Sequence, residues 1–303
     1  MNELWIILTG ALVAVNCAIL GSFLLLRRMA MLGDAISHSA LPGIAIAYLL
    51  SSSLSTTPLL LGAALVALLS VSLIELLQKK VGLQADASMG ISYSFLFAIG
   101  VILVSAFAQN TDLDQECLLY GDIAYIPFEL FITQSGLNLG PEALWWQGGA
   151  LLVNAAVIYF AYRAFFVTSF DPSFASGLGI STRGWHYLLM CMVAITVVFS
   201  FRVVGAILVL AFLVVPPATA FLLTRRLQHM LILSIVFGIV SAVMGFLVAE
   251  WWQSSIAGSM ALFTGLIFVL VFLFLMLKKS WLSTGQTYSK LNSAEQASSS
   301  TRP

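Results

Sequence analysis

Residues 4–26 read LWIILTGALVAVNCAILGSFLLL, a stretch without one charged side chain that ends directly before Arg27 and Arg28. About 20 consecutive apolar residues are enough for a helix to cross the hydrocarbon core of a bilayer. The basic pair follows the apolar stretch and Glu3 precedes it, which is the reverse of the charge order in a cleavable signal peptide. The stretch therefore predicts a membrane-spanning helix.

The rest of the chain repeats this pattern. Of its 303 residues 60% are hydrophobic and 9% charged, with a mean hydropathy of +1.02, whereas a soluble domain has roughly 25% charged residues. The sequence predicts an all-α integral membrane protein, a polytopic helical bundle over residues 1–279 with about nine transmembrane helices, eight being possible. A polar, Ser-rich tail over 280–303 is predicted to be disordered and cytoplasmic. The predicted spans are 4–26, 34–50, 58–77, 88–108, 144–166, 186–201, 203–223, 230–250 and 257–277.

The basic residues predict the orientation, because Lys and Arg are retained on the cytoplasmic side. They lie at alternate junctions between the spans, which share one side if the N-terminus is outside and the C-terminus is cytoplasmic. Of the thirteen basic residues, Arg202 alone then falls outside. The outer segment 109–143 has six carboxylates and no Lys or Arg. A net charge of zero argues against a nucleic-acid partner.

Ionisable side chains inside a span are candidates for function. Asp34 and His38 are four residues apart, so on a helix they share one face. A carboxylate and an imidazole together suit Mn²⁺, Fe²⁺ or Zn²⁺, and two ligands suit weak, transient binding. The alternative is structural, with Asp34 capping a helix and His38 bonded to a neighbouring one. Glu75 precedes Lys79 by four residues, which predicts a helix-surface ion pair.

Four segments carry a resemblance to a known family. Residues 28–43, RMAMLGDAISHSALPG, are similar to the signature of the permeases of manganese, zinc and iron ABC importers, the ABC-3 type. Residues 114–123 (DQECLLYGDI), 169–180 (SFDPSFASGLGI) and 204–220 resemble the same family. The resemblance covers residues from about 5 to 280 and implies a type II ABC importer-like bundle in the bacterial cytoplasmic (inner) membrane.

The resemblance also implies partners: a second permease subunit (the same chain or a paralogue), two cytoplasmic ABC ATPases, and a metal-binding solute-binding protein outside. The chain has no Gly-x-x-x-x-Gly-Lys-Ser/Thr loop, so we expect it not to be an enzyme and the ATPase activity to belong to a separate subunit. In the family, the loop after the fifth span holds a short coupling helix that docks on the ATPase. Here it maps to Phe170, Asp171, Pro172, Phe174, Gly177 and Gly179. The alternative is an ordinary inter-helix loop, but the apolar pair Phe170 and Phe174 favours a docking surface.

Two further groups are candidates for moving parts. Pro216 and Pro217 are predicted to break or kink a membrane helix, and with Gly205 they predict a hinge that moves with the ATPase; a static kink fits the sequence equally well. Arg202 lies near the outer mouth, where it either contacts the binding protein or forms a local ion pair.

Together these observations predict a permease for divalent manganese, zinc or iron, working by alternating access. We expect no tightly bound cofactor, the metal ion being cargo. A permease for a metal chelate, such as a siderophore or cobalamin, is one alternative, and it would depend little on Asp34 and His38. A proton-coupled secondary transporter is another, and it would need more intramembrane carboxylates and internal repeats.

Overall fold

The computed structural model describes residues 2–51, 56–107, 123–128, 130–132 and 138–299, and these are almost entirely helical. The α-helices are α1 (Asn2–Leu26), α2 (Leu32–Ser51), α3 (Thr56–Leu76), α4 (Ala85–Phe107), α5 (Glu142–Phe170), α6 (Pro172–Gly177), α7 (Thr182–Val204), α8 (Ala206–Leu223), α9 (Leu227–Trp252) and α10 (Ile256–Ser299). A π-helical turn, Leu77–Val81, extends α3, and a 3₁₀ turn spans Ile126–Phe128.

The predicted membrane spans correspond to these helices. Eight helices in the described part of the chain are long and apolar enough to cross a membrane. The ninth long one is α2, which is less apolar because it carries Asp34 and His38. The region 186–223 forms two separate helices, α7 and α8, each long enough to span. The prediction of an all-α polytopic bundle is confirmed.

The outer segment differs from the all-α prediction in one detail. Strands β1 (Leu130–Ile132) and β2 (Asn138–Pro141) pair antiparallel in a short hairpin. Gly140 in β2 has φ +86°, and a Cβ there would lie 3.1 Å from the Trp5 ring of α1. Most of the acidic outer segment lies outside the described residues, namely Asp112, Asp114, Glu116, Asp122 and Glu129.

At the other end of the chain, α10 continues to Ser299 without a break near residue 280. The boundary predicted at residue 280 is therefore not visible in the helix. That residues 280–303 form a disordered tail stays a prediction.

The helices pack in two groups joined by α7. One group holds α2 between α3 and α4, and the other holds α1 against α5, α8 and α9, with α10 on α8 and α9. α7 contacts α1, α2, α3 and α5. It is also the most buried of the candidate spans, with 67% of its most apolar 18-residue stretch buried. α10 is the least buried, at 11%. The outer helices expose large apolar side chains such as Phe160 and Leu152, as a lipid-facing surface requires.

Glycines let the backbone of α2 approach its two neighbours. A Cβ on Gly43 would lie 2.3 Å from the carbonyl oxygen of Gly62 in α3. A Cβ on Gly100 of α4 would lie 2.8 Å from the ring of Pro42 in α2. Helices in lipid associate through such close van der Waals packing, since burial of apolar surface gives no driving force there.

The two prolines predicted to break or kink a helix lie inside α8, which continues through both of them. Proline has no N–H, so Pro217 leaves the carbonyl oxygen of Leu213 without its helical donor. Gly21 of α1 packs on this carbonyl, and a Cβ at Gly21 would lie 1.9 Å from the oxygen. Gly21 thus allows α1 to pack closely on α8 beside Pro217, and neither proline ends the helix.

Candidate functional site

The predicted pair, Asp34 and His38, lies at the start of α2. The Nε2 atom of His38 is 3.4 Å from Oδ1 of Asp34, and both side chains are about one-third exposed, at 34% and 29%. The pair thus shares one helix face, as the four-residue spacing predicts, and remains accessible from outside the chain. The neighbouring Gly33 is buried against α8, where an added Cβ would lie 2.4 Å from the Leu213 side chain.

Aromatic rings of α4 form a wall beside His38. The His38 ring centroid lies 5.8 Å from that of Tyr93 and 5.6 Å from that of Phe97, which meets it edge-on. Tyr93 and Phe97 are themselves four residues apart on α4, so they present one face to α2. Sequence reasoning missed these two residues, because aromatic side chains are common in membrane helices and carry no charge signal.

The pair does not complete a metal site by itself. Within the described part of the chain no group of three or more His, Cys, Asp or Glu side chains could hold a metal ion. A tight structural zinc site uses four protein ligands and a catalytic one three. Two accessible ligands of mixed oxygen and nitrogen type can bind a borderline divalent ion weakly and release it.

A network of neutral polar side chains lies between α1, α5 and α7. Asn16 donates to the carbonyl oxygen of Gln147 at 3.1 Å, and Asn154 donates to Oδ1 of Asn16 at 3.1 Å and to Oγ1 of Thr196 at 2.8 Å. Gln147 in turn donates to Ser200 at 3.3 Å. All five residues are buried. Such bonds hold transmembrane helices together, at about 0.6–2 kcal/mol each, and sequence reasoning did not single them out.

The end of the bundle where α1, α3 and α5 end and α7 begins holds a charged cluster. Glu75 pairs with Lys79, as the spacing predicts, but its carboxylate is buried and not on the helix surface. The second oxygen, Oε1, contacts Nε2 of His186 on α7. His186, in the first turns of α7, therefore links α7 to α3.

Arg27, just after α1, extends this cluster to α5. Its guanidinium donates to Thr168 at 2.9 Å and to Ser169 at 3.1 Å, and Nη1 lies 3.2 Å from Nδ1 of His186. Arginine can only donate, so Nδ1 of His186 accepts and the ring carries its proton on Nε2, facing Glu75. Burial lowers the pKa of Arg27 to about 10, which leaves it charged at physiological pH.

The segment predicted to be a coupling helix is helical. α6 begins at Pro172, and the Asp171 side chain caps it by accepting from the backbone N–H of Phe174 at 2.9 Å. Gly179, with φ +75°, lies just after Gly177, the last residue of α6. Phe170 and Phe174 are both more than half exposed, and so is Leu178. Phe174 on α6 thus forms an exposed apolar surface together with Phe170 at the end of α5 and Leu178 just after α6, as a docking element needs.

The remaining predicted residues lie around the α7–α8 junction. Gly205 separates the two helices with φ +81° and ψ 165°, a conformation essentially restricted to glycine. Arg202 lies in the last turn of α7. Pro216 and Pro217 are buried within α8, several turns away from Gly205. Gly205 and the two prolines therefore lie at separate points of α8, and the role of these residues in motion stays a prediction.

Comparison with protein families matches residues 2–275 of the chain to the ABC 3 transport family. The chain is 48% identical over 272 residues to the manganese transport system membrane protein MntD of Bacillus subtilis (strain 168), covering 90% of this chain and 92% of that protein. It is 38% identical to the zinc transport system membrane protein TroD of Treponema pallidum (strain Nichols), covering 89% of this chain and 73% of that protein.

Among solved structures, the chain is similar to PsaBC from Streptococcus pneumoniae, determined in complex with Fab. The TM-score is 0.72 and the sequence identity 27%, over 88% of this chain and 90% of that one. The structural similarity extends over most of the chain, and the family match over residues 2–275 includes Asp34 and His38.

Proposed function

Because this chain belongs to the ABC 3 transport family, we propose that it is the permease of an ATP-driven importer of a divalent transition-metal ion. The observation that carries the choice of cargo is the Asp34–His38 pair, an accessible carboxylate and imidazole on one face of α2. Manganese and zinc are the ions in the names of the relatives, MntD and TroD. Fe²⁺ accepts the same ligands and stays within the proposal.

Asp34 and His38 act here as transient ligands or gate residues. Two ligands leave the coordination sphere incomplete, so water or groups from another subunit supply the rest. Incomplete ligation suits a permease, because an ion held by a full set of ligands would leave too slowly. The ion is cargo, and no resident cofactor is part of the proposal.

The proposed assembly contains two permease subunits, two cytoplasmic ATPases and an extracytoplasmic binding protein that delivers the metal. The ATPases supply the hydrolysis chemistry. The exposed apolar rings of Phe170 and Phe174 on either side of the Asp171 cap support docking of α6 on an ATPase. This requires the α6 end of the bundle to be cytoplasmic, with the N-terminus outside and the C-terminus inside.

The proposed mechanism is alternating access. ATP binding and hydrolysis move α6, and the motion reaches the path through α5 and α7. Gly205, which lies in a conformation that a side chain would strain, is the proposed hinge between α7 and α8. Arg202 lies beside this hinge. Pro216 and Pro217 lie further along α8, where Gly21 of α1 packs against Leu213 and Pro217.

The test is ATP-dependent uptake of radiolabelled Mn²⁺, Zn²⁺ and Fe²⁺ into vesicles that contain the assembled complex. We expect one ion to accumulate, with a loss of uptake in Asp34→Asn and His38→Gln. Asp86→Asn and His229→Gln are matched controls, because Asp86 lies in the first turn of α4 as Asp34 does in α2, and His229 lies in the first turn of α9.

Normal uptake in both Asp34→Asn and His38→Gln would contradict the site. Uptake of an intact metal chelate with no free ion moved would instead favour a chelate permease. Uptake driven by a proton gradient without ATP would favour a secondary transporter. No movement of metal under any energised condition would exclude the importer.

A further inference from the structure

An open cleft of about 440 Å³ lies at the end of the bundle beside α6. Its walls come from the turn after α1, the π-helical end of α3, the last turn of α5 and the first turn of α7. Its size is within the range of about 300–1,000 Å³ typical of small-ligand pockets. It is separate from the Asp34–His38 pair, neither member of which lines it.

The charges around this cleft are unbalanced. Its lining includes the cationic side chains of Arg27, Arg28, Lys79 and Arg183 against the single carboxylate of Glu75. Glu75 is already engaged by Lys79 and His186. Among the described residues, none of the three arginines forms an ion pair with a carboxylate. Positive charges gathered in this way repel one another, so an anion in the cleft would stabilise them.

Two side chains in the wall of the cleft carry hydrogen-bond donors that could bind such an anion. The Arg27 guanidinium is fixed by Thr168 and Ser169, whose neutral hydroxyls leave its charge uncompensated. The side-chain nitrogen of Gln78 is buried and has no hydrogen-bond acceptor among the described residues. A buried donor without an acceptor costs about 1–3 kcal/mol, so Gln78 is a second, independent sign of an absent acceptor.

Two further arginines that line the cleft are exposed. Arg183 lies in the first turn of α7, where the helix dipole already places positive charge. Arg28 lies in a left-handed conformation, φ +58°, between α1 and α2. This turn has the hydrogen bonds of a Schellman motif, from Met29 N–H to Leu24 and from Arg28 N–H to Leu25. A glycine is the usual residue there, so the arginine is unexpected on structural grounds.

We propose that this cleft binds a phosphate-bearing anion. Arginine forks match phosphate oxygens in bidentate geometry, and several charge-assisted bonds together give specificity over a neutral headgroup. The cleft lies where the candidate spans of α1, α3 and α5 end, which is the depth of lipid headgroups. The headgroup of an anionic phospholipid is therefore the favoured ligand of the cleft, and soluble phosphate is the alternative ligand.

The conclusion that the ligand is a lipid headgroup rests on the proposed cytoplasmic orientation of the α6 end, since basic pockets on that side attract anionic headgroups. Pro172, the first residue of α6, also lines the cleft. A bound headgroup would thus lie between the α1–α2 turn and the base of α6.

The test uses the full chain, purified in neutral detergent, without ATPase or metal. Thermal unfolding midpoints are measured with phosphatidylglycerol, phosphatidylcholine or inorganic phosphate, and bound lipid is counted by native mass spectrometry. The cleft variant is Arg28→Gln with Arg183→Gln, and each single variant serves where the double one does not fold. Arg225→Gln with Arg226→Gln is the matched control, an exposed basic pair outside the cleft.

We expect phosphatidylglycerol to raise the midpoint of wild type and control, and its affinity to fall about tenfold or more in the cleft variant. Stabilisation by inorganic phosphate that the cleft variant loses, without a lipid effect, would keep the site and assign it to soluble phosphate. Equal binding of both lipids by the wild type, or equal losses in cleft variant and control, would overturn the proposal. So would lipid binding by the wild type that the cleft variant retains unchanged. None of these readouts depends on transport.

Discussion

Substitution of Gly43 by alanine tests the close packing that holds α2. The new Cβ would lie 2.3 Å from the carbonyl oxygen of Gly62 and 2.9 Å from the Cα of Ala63. The first distance is more than 1 Å short of the 3.4 Å at which ordinary van der Waals contact begins. The obstructing atoms belong to the backbone of α3, so a rotamer change cannot relieve the clash and the helices have to separate.

The expected cost follows from two opposing effects. Overpacking of a well-packed core costs about 1–3 kcal/mol, whereas alanine in place of glycine favours a helix by about 1 kcal/mol. Gly90→Ala in α4 is the matched control, because nothing lies within 4 Å of a Cβ at that position. It receives the helical benefit without the clash, so the two variants should differ by about 1–3 kcal/mol.

The assay is the thermal unfolding midpoint of the purified chain in detergent, followed by metal uptake in vesicles. We expect Gly43→Ala to unfold below the wild type and Gly90→Ala to unfold at or above it. Uptake should fall in Gly43→Ala, because the displaced α3 changes the position of α2 and its Asp34–His38 pair. A Gly43→Ala protein as stable as Gly90→Ala would refute the inferred contact between α2 and α3.

Three further predictions concern other contacts. Asp171→Ala removes the cap of α6 and should cost that helix about 1 kcal/mol. The ATPase activity of the assembled complex should therefore fall in Asp171→Ala and stay unchanged in Ser173→Ala. Asn154→Ala should lower stability by about 0.6–2 kcal/mol in thermal unfolding, and an unchanged midpoint would mean that the network does not hold α5 to α1 and α7. Glu75→Ala removes the buried carboxylate that contacts both Lys79 and His186, and it leaves Lys79, whose side chain is 44% exposed, in contact with water. The loss should cost about 1.5–3 kcal/mol, as for a hydrogen bond to a charged group; a stability equal to wild type, measured beside Asp86→Ala, would contradict the buried contacts.

The helices and several of their ends could be predicted from the sequence. Runs of apolar residues long enough to cross a bilayer identify the spans, and Asp171 followed by Pro172 identifies the start of α6. The Glu75–Lys79 pair and the shared face of Asp34 and His38 follow from the helical period. Each of these features depends on residues close together in the chain, which local physical chemistry is sufficient to fix.

The contacts between distant segments could not be predicted in this way. Asn16 and Gln147 are 131 residues apart, and Arg27 and His186 are 159 apart. Neutral side chains such as Asn154 carry no charge that would single them out in the sequence. The spacing of Glu75 from Lys79 predicts a surface residue, and only the packing of α7 on α3 buries Glu75. Which ring nitrogen of His186 accepts a hydrogen bond likewise depends on where Arg27 lies.

The sequence by itself determined that this is a membrane bundle, where its helices lie and which polar pair stands on α2. Only the tertiary structure decided which helix faces meet, that α2 lies between α3 and α4, and that four cations from distant segments line one cleft. The physical reason is that lipid tails are as apolar as the helices they surround. Hydrophobicity therefore places a helix in the membrane but does not orient it, and close packing and polar contacts between helices select its register.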